Sequence, residues 1–316
     1  MTFLADEQFH SEYQGIVGQC GHLVGEASEL FEEYFNSQGQ QKCSAPACGA
    51  PLNLWSAVRG CFLSAGAAFQ LLAPFGGRTL IKAIRIQPGR FYNVNLDELG
   101  VAPDDIVRGV NLTGVVKEIG PTVLPALMLG NQLKLPVHLP HRLTLFGVDK
   151  NGEAPVTDEG LFQMHVQFVP KQESAHRQLL LDGAIALGEG DLRRGVIDAH
   201  TAADIALDAF ATQTLQQMTP FGEPRLGFLE KVGVLMLTRA GAGHPPVPGY
   251  LLDTLQVLNR QRNQSVHPSR SKKPLTSEVA ADCLAASIFL VHLVDASGDG
   301  TLARPGTTPS RRSSVT

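Results

Sequence analysis

The 316-residue sequence predicts an α+β protein with a helical pair at the N-terminus, a β-rich middle and an all-α module at the C-terminal end. Apolar residues recur at helical spacing before about residue 75 and again after 172, while between about 78 and 170 they alternate nearer to two. Gly- and Pro-rich stretches mark the changes of period. The chain is 43% hydrophobic and 18% charged, an ordinary globular balance, and its length suits about two domains that each bury a core. Disulfide-dense, collagen-like and wholly disordered classes are thereby excluded. A formal net charge of −4 argues against a protein that coats nucleic acid through bulk charge, so any nucleic-acid function must rest on a local site.

Taken in order, the first helix is expected from about Tyr13 to Phe35, where Ile16, Leu23, Ala27, Leu30 and Tyr34 recur on one side. The polar stretch from Asn36 to Ser44 breaks it. Asn53 can cap a second helix over 54–72, whose stripe is Trp55, Val58, Phe62, Phe69 and Leu72, and Ala73 to Gly77 ends it. The two helices are expected to pack on each other. Strands follow within about 78–170, carried by Leu80, Ile84 and Ile86, by Val137 to Val148, and by Phe162, Met164, Val166 and Phe168. Asp149-Lys150-Asn151-Gly152 suits a hairpin turn, because Asn-Gly accepts positive φ. This middle third shows no Gly-rich phosphate loop, triad spacing or paired His/carboxylate ligands, so 1–170 reads as a companion domain.

Helices are then expected at about 172–187, 191–218, 224–239, 248–267 and 276–295, forming a domain over 171–296. Asp191 is placed to cap the second, Thr276 or Ser277 the last, and Pro224 suits a first helical turn. The tail 297–316, rich in Gly, Pro, Ser and Thr, is expected to be disordered. The apolar run Ala280–Val294 falls short of a membrane span, and the N-terminus is acidic where a signal peptide would be basic. With five cysteines, an odd number, the expected location is the reducing cytoplasm.

The chemistry concentrates in the helix over 248–267. Leu251, Leu255 and Leu258 form its core-facing stripe, and the next position is Arg262. A buried guanidinium needs an anion or a partner chain, since it stays charged at any accessible pH. Near the helix end the chain reads Arg262-Asn263-Gln264-Ser265-Val266-His267. Between Asp253 and Glu278 there is no acidic residue, whereas Arg260, Arg262, Arg270, Lys272 and Lys273 are basic, which favours a docked polyanion.

An Arg, a polar residue, three more residues and a His at a helix end within a C-terminal helical module resemble the signature of the HEPN family (higher eukaryotes and prokaryotes nucleotide-binding). The run Asp191 to Asp204 resembles that family's early helix, and Leu275 to Ala281 the capped start of its last one. The resemblance covers about 172–296. It implies a metal-independent endoribonuclease of toxin or phage-defence type, acting as a homodimer whose two motifs face each other across a cleft, without cofactor, on RNA, with an antitoxin or other regulatory protein as a further partner. His267 would be the acid or base, Arg262 the phosphate clamp, and Asn263 an orienting group. The competing function is a non-catalytic helical module that binds a nucleotide, RNA or a protein.

The remaining reactive side chains read as structural. His200 is expected to be a satisfied histidine of its helix, Trp55 a core residue, and Cys61 and Cys283 buried small hydrophobes. Cys20, His22, Cys43 and Cys48 have zinc-ligand chemistry, but Cys43 and Cys48 are widely spaced for a ligand pair, and Cys20 and His22 diverge if they lie on a helix. A zinc site is therefore not expected.

Overall fold

The computed structural model describes residues 11–36, 41–45, 47–63, 71–87, 89–114, 123–128, 141–149, 160–218, 225–267 and 274–298. Helix and antiparallel sheet are combined, as the α+β reading requires.

The first departure lies at the start. Residues 13–35 do not form one helix: Ser11–Gln14 is a strand, β1, and the helix α1 spans only Ala27–Asn36. Between them the chain doubles back, with Val17 bridged to Leu23 and the Ile16 and Val24 amides bonded to the carbonyls of Gly25 and Ile16. Glycine makes this possible. Gly15, Gly21 and Gly25 all have positive φ, and a Cβ on Gly15 would stand 2.5 Å from the Gly25 carbonyl oxygen. The apolar period continues through this segment, but four glycines in eleven residues outweigh it.

A small hairpin follows, β2 (Gln41–Lys42) with β3 (Pro51–Leu52). The helix α2 covers Leu54–Leu63, started by Asn53, whose Oδ1 accepts the Ser56 amide at 3.0 Å. A 3₁₀ turn at Ala73–Phe75 ends in Gly76 and leads into the sheets. The strands β4 (Arg78–Ile86), β5 (Phe91–Asn95), β6 (Ile106–Gly114), β7 (Val123–Met128), β8 (Arg142–Asp149) and β9 (Gly160–Val169) make two antiparallel sheets, ordered β1-β4-β9-β6 and β5-β8-β7. Leu80 opposes Val166 and Ile84 opposes Phe162 across β4 and β9, so the apolar alternation lines one face, and Val94, Leu143 and Leu145 of the second sheet join that core. The expected Asn151-Gly152 turn lies outside the described residues.

Among the described residues five helices follow: α3 (Ala175–Gly188), α4 (Leu192–Met218), α5 (Phe228–Gly241), α6 (Gly249–Val266) and α7 (Ser277–Gly298). Asp191 caps α4 through its Oδ1 and the Arg194 amide, and Thr276 caps α7 through its hydroxyl and the Val279 amide. The expected Pro224 start lies outside the described residues, and α5 begins instead after Gly227, whose amide donates to Glu230. Gly183 and Gly195 let α3 and α4 approach closely, since a Cβ on either would stand 3.1 Å from the other's carbonyl oxygen.

The last helix is the centre of the bundle. Ala281, Cys283, Ala285, Ala286, Phe289, Leu290 and Leu293 are fully buried along it, and α1, α2, α3, α4 and α6 all pack on it. Residues Ser277–Ser297 are long and apolar enough to cross a membrane, longer than the expected run, but 72% of the most apolar stretch is buried in this core. A boundary at 170/171 therefore does not separate two cores. Phe31 and Phe35 of α1 and Trp55 of α2 meet Phe289 of α7 at 4.7, 6.2 and 5.3 Å between ring centroids. The N-terminal helices belong to the helical core, and the two sheets hold their own.

Candidate functional site at the end of α6

Leu251, Leu255 and Leu258 are fully buried, as their spacing predicts. Beyond them α6 leaves the core, so Arg262 is half-buried rather than enclosed. Its Nη1 donates to Asn263 Oδ1 at 3.2 Å, and among the described residues it pairs with no carboxylate. His267 closes the helix: its amide donates to the Asn263 carbonyl at 3.1 Å, while the residue itself is exposed. Arg260 is exposed on the same terminal turns, and Arg270, Lys272 and Lys273 lie outside the described residues.

Arg193, from the first turn of α4, donates through Nη2 to the Ser265 carbonyl at 3.0 Å. A guanidinium at that point satisfies one of the open carbonyls of the helix end and complements its negative dipole. Beneath it lies a cleft of about 470 Å³, lined by Asp191, Arg193, Gln261, Gln264, Ser265 and Leu275 among others. Arg193 and this cleft escaped the sequence reading. The basic pair Arg193-Arg194 after Asp191 is the signal that could have pointed to them.

On the neighbouring side of α6 a polar line runs into the bundle. His200 of α4 is 6% exposed, with its Nε2 3.3 Å from Asn259 Oδ1 and its ring tilted on Phe228 at 4.5 Å. Burial pushes its pKa down, and the positive charges of Arg262 and Lys231 push the same way, against Asn259 and Asp204. His200 is thus a satisfied core residue, as expected. One turn on, the buried Lys231 ammonium holds Asp204 and Asp208 at 2.8 and 2.9 Å.

Cys61 and Cys283 are buried, and burial pushes both thiols up to about 12, which suits inert core residues. The geometric argument made for the other cysteines does not survive. Cys20 and His22 sit on a hairpin and not on a helix, so they do not diverge. Cys43 follows β2 and Cys48 precedes β3, and the ligand atoms of all four residues lie within 4.8 Å of one another. The Cys20 thiol is lowered to about 6, first by the His22 backbone and then by Cys43.

No family model, no curated protein and no solved structure matches this chain.

Proposed function

We propose that the end of α6 is an RNA-cleaving site of the HEPN type, with Arg262 as phosphate clamp and His267 as acid or base. The observation that supports it is the half-buried Arg262, with no carboxylate partner among the described residues, on the same helix end as an exposed His267. An Arg fork free of carboxylates is available to two phosphate oxygens. A histidine imidazole is the side chain suited to give and take a proton at such a site.

In the reaction, the ribose 2′-hydroxyl gives its proton to His267 and attacks the adjacent phosphorus. The bond from phosphorus to the 5′-oxygen breaks, that oxygen takes a proton from water, the hydroxide so formed is neutralised by the proton His267 then releases, and a 2′,3′-cyclic phosphate remains on the upstream product. Arg262 stabilises the negative charge that builds on the phosphate oxygens. Asn263, already bonded to Arg262, orients the guanidinium. Arg260 and Arg193 extend the positive surface, and a second copy of the chain would bring a second motif to the same RNA.

The deciding experiment incubates purified protein with total RNA in EDTA, beside His267→Ala, and maps product ends. Cleavage that leaves cyclic phosphate and disappears in the variant supports the site. Cleavage unchanged in His267→Ala removes it.

A second reading is a non-catalytic module that binds a nucleotide or an RNA end. A larger cleft of about 660 Å³, where the sheet runs into α3, favours it, since Lys171, Gln172, His176 and Gln213 line it beside Glu173 and the Arg177–Asp295 pair. Saturable nucleotide binding lost in Lys171→Ala, with RNA left intact, would support that reading.

A further inference from the structure

We propose that Cys20, His22, Cys43 and Cys48 form a tetrahedral zinc site that staples the two N-terminal hairpins to each other. The chain brings these four residues together from two separate hairpins. Cys20-Gly21-His22 is the tip of the first, closed by the Gly18 amide on the His22 carbonyl at 2.9 Å. Cys43 and Cys48 flank the tip of the second, closed by the Cys43 amide on the Ala50 carbonyl at 2.8 Å.

The geometry is that of a closed ligand set. With Zn–S near 2.3 Å and Zn–N near 2.0 Å, tetrahedral coordination puts ligand atoms about 3.5–3.8 Å apart. His22 Nδ1 and Cys43 Sγ stand 3.8 Å apart, and no pair among the four exceeds 4.8 Å. A shift of a few tenths of an ångström per side chain closes the tetrahedron. Three thiolates and one imidazole fill every position, leaving none for water or substrate, so the site is structural. Each thiol releases its proton to solvent as zinc binds, and the ion with three thiolates carries one net negative charge.

The surroundings show what the ion would do. β2 and β3 have two residues each and the first hairpin has a single bridge, which is too little pairing to stand alone in water. Side chains already join the two hairpins where the ligands meet: Gln19 exchanges hydrogen bonds with the Asn53 backbone, and Ser44 donates to the Val24 carbonyl at 2.8 Å. Cys43 is buried as part of the helical core cluster, and Gln41 donates to the Leu30 carbonyl of α1. A metal here converts two marginal hairpins into one cross-linked cap.

The test uses the full chain, purified without added chelator. Metal analysis should find one zinc ion per chain, falling at least fivefold in Cys20→Ser and Cys48→Ser. Cys20 is exposed at a hairpin tip, so its replacement tests the ligand without disturbing the core. Metal-free wild type titrated with cobalt should give the intense visible bands of tetrahedral cobalt with thiolate charge transfer, saturating at one equivalent. Wild-type protein that carries no zinc and develops no such bands would overturn the proposal, as would full zinc content in Cys20→Ser. Disulfide-linked cysteines in a metal-free native protein would overturn it as well. These readouts do not depend on RNA cleavage, so this site and the α6 site stand or fall separately.

Discussion

The His292 imidazole of α7 stacks on the Phe31 ring of α1, with centroids 4.0 Å apart and planes 12° from parallel. The ring also lines a small cavity, and so enclosed it is held neutral. Burial lowers its pKa to about 4, the Arg177 charge adds to this, and Asp295 opposes it.

The pH dependence follows in sign. The unfolded chain, with an ordinary histidine, binds this proton below about pH 6.5, whereas the folded chain resists it down to about 4. Stability from His292 is present above pH 6.5 and is lost as pH falls through that window, by at most ~3 kcal/mol. Urea midpoints measured from pH 7 to 4 should fall more steeply for the wild type than for His292→Leu. Parallel curves would show that the proton goes elsewhere.

Phe289 meets Phe31, Tyr34, Phe35 and Trp55 edge-on or tilted. Its truncation should leave a cavity between α7 and the N-terminal helices, costing ~3–5 kcal/mol. Phe289→Ala should therefore unfold at markedly lower denaturant. A chain beginning at residue 171 should bind a hydrophobic dye strongly and lack a cooperative transition, because the same face is then bare.

Lys231 is 8% exposed and carries its ammonium to two carboxylates that remain partly in water. Replacing it by Met keeps the buried stem but removes the charge. Since Asp204 and Asp208 can rehydrate, Lys231→Met should cost only ~1 kcal/mol, and Lys231→Ala more, through lost packing. Thermal melts of the two variants separate these contributions. Equal losses would mean that the charge pair dominates.

At the end of α6, Arg262→Ala and His267→Ala should each lower RNA cleavage by about 10²–10⁴-fold with melting temperatures unchanged, because neither side chain lies in the core. Arg262→Lys should also fail, since an ammonium lacks the planar fork. Cleavage rates beside melting curves decide it. A rate loss that tracks lost stability would point to a structural role.

The sequence by itself determined the β-rich middle and the helical run that follows it, the α6 stripe of Leu251, Leu255 and Leu258, and the caps at Asn53 and Asp191. Each is a local property: a period that one element repeats, or a side chain reaching an amide three residues on. The placement of Arg262 and His267 on one helix end was legible for the same reason. What only the tertiary structure decided is where distant segments meet. The apolar residues between Ile16 and Tyr34 keep a helical period, yet Gly15, Gly21 and Gly25 adopt positive φ and turn that segment into a hairpin. Periodicity counts side chains, whereas the fold there follows backbone freedom. Once the hairpin forms, Cys20 and His22 face Cys43 and Cys48 across a gap of more than twenty residues, a convergence that no spacing along the chain encodes. The placement of α1 and α2 on α7 has the same cause: an apolar face specifies that it will be covered, while its partner is chosen by shape and by the path of the intervening sheets.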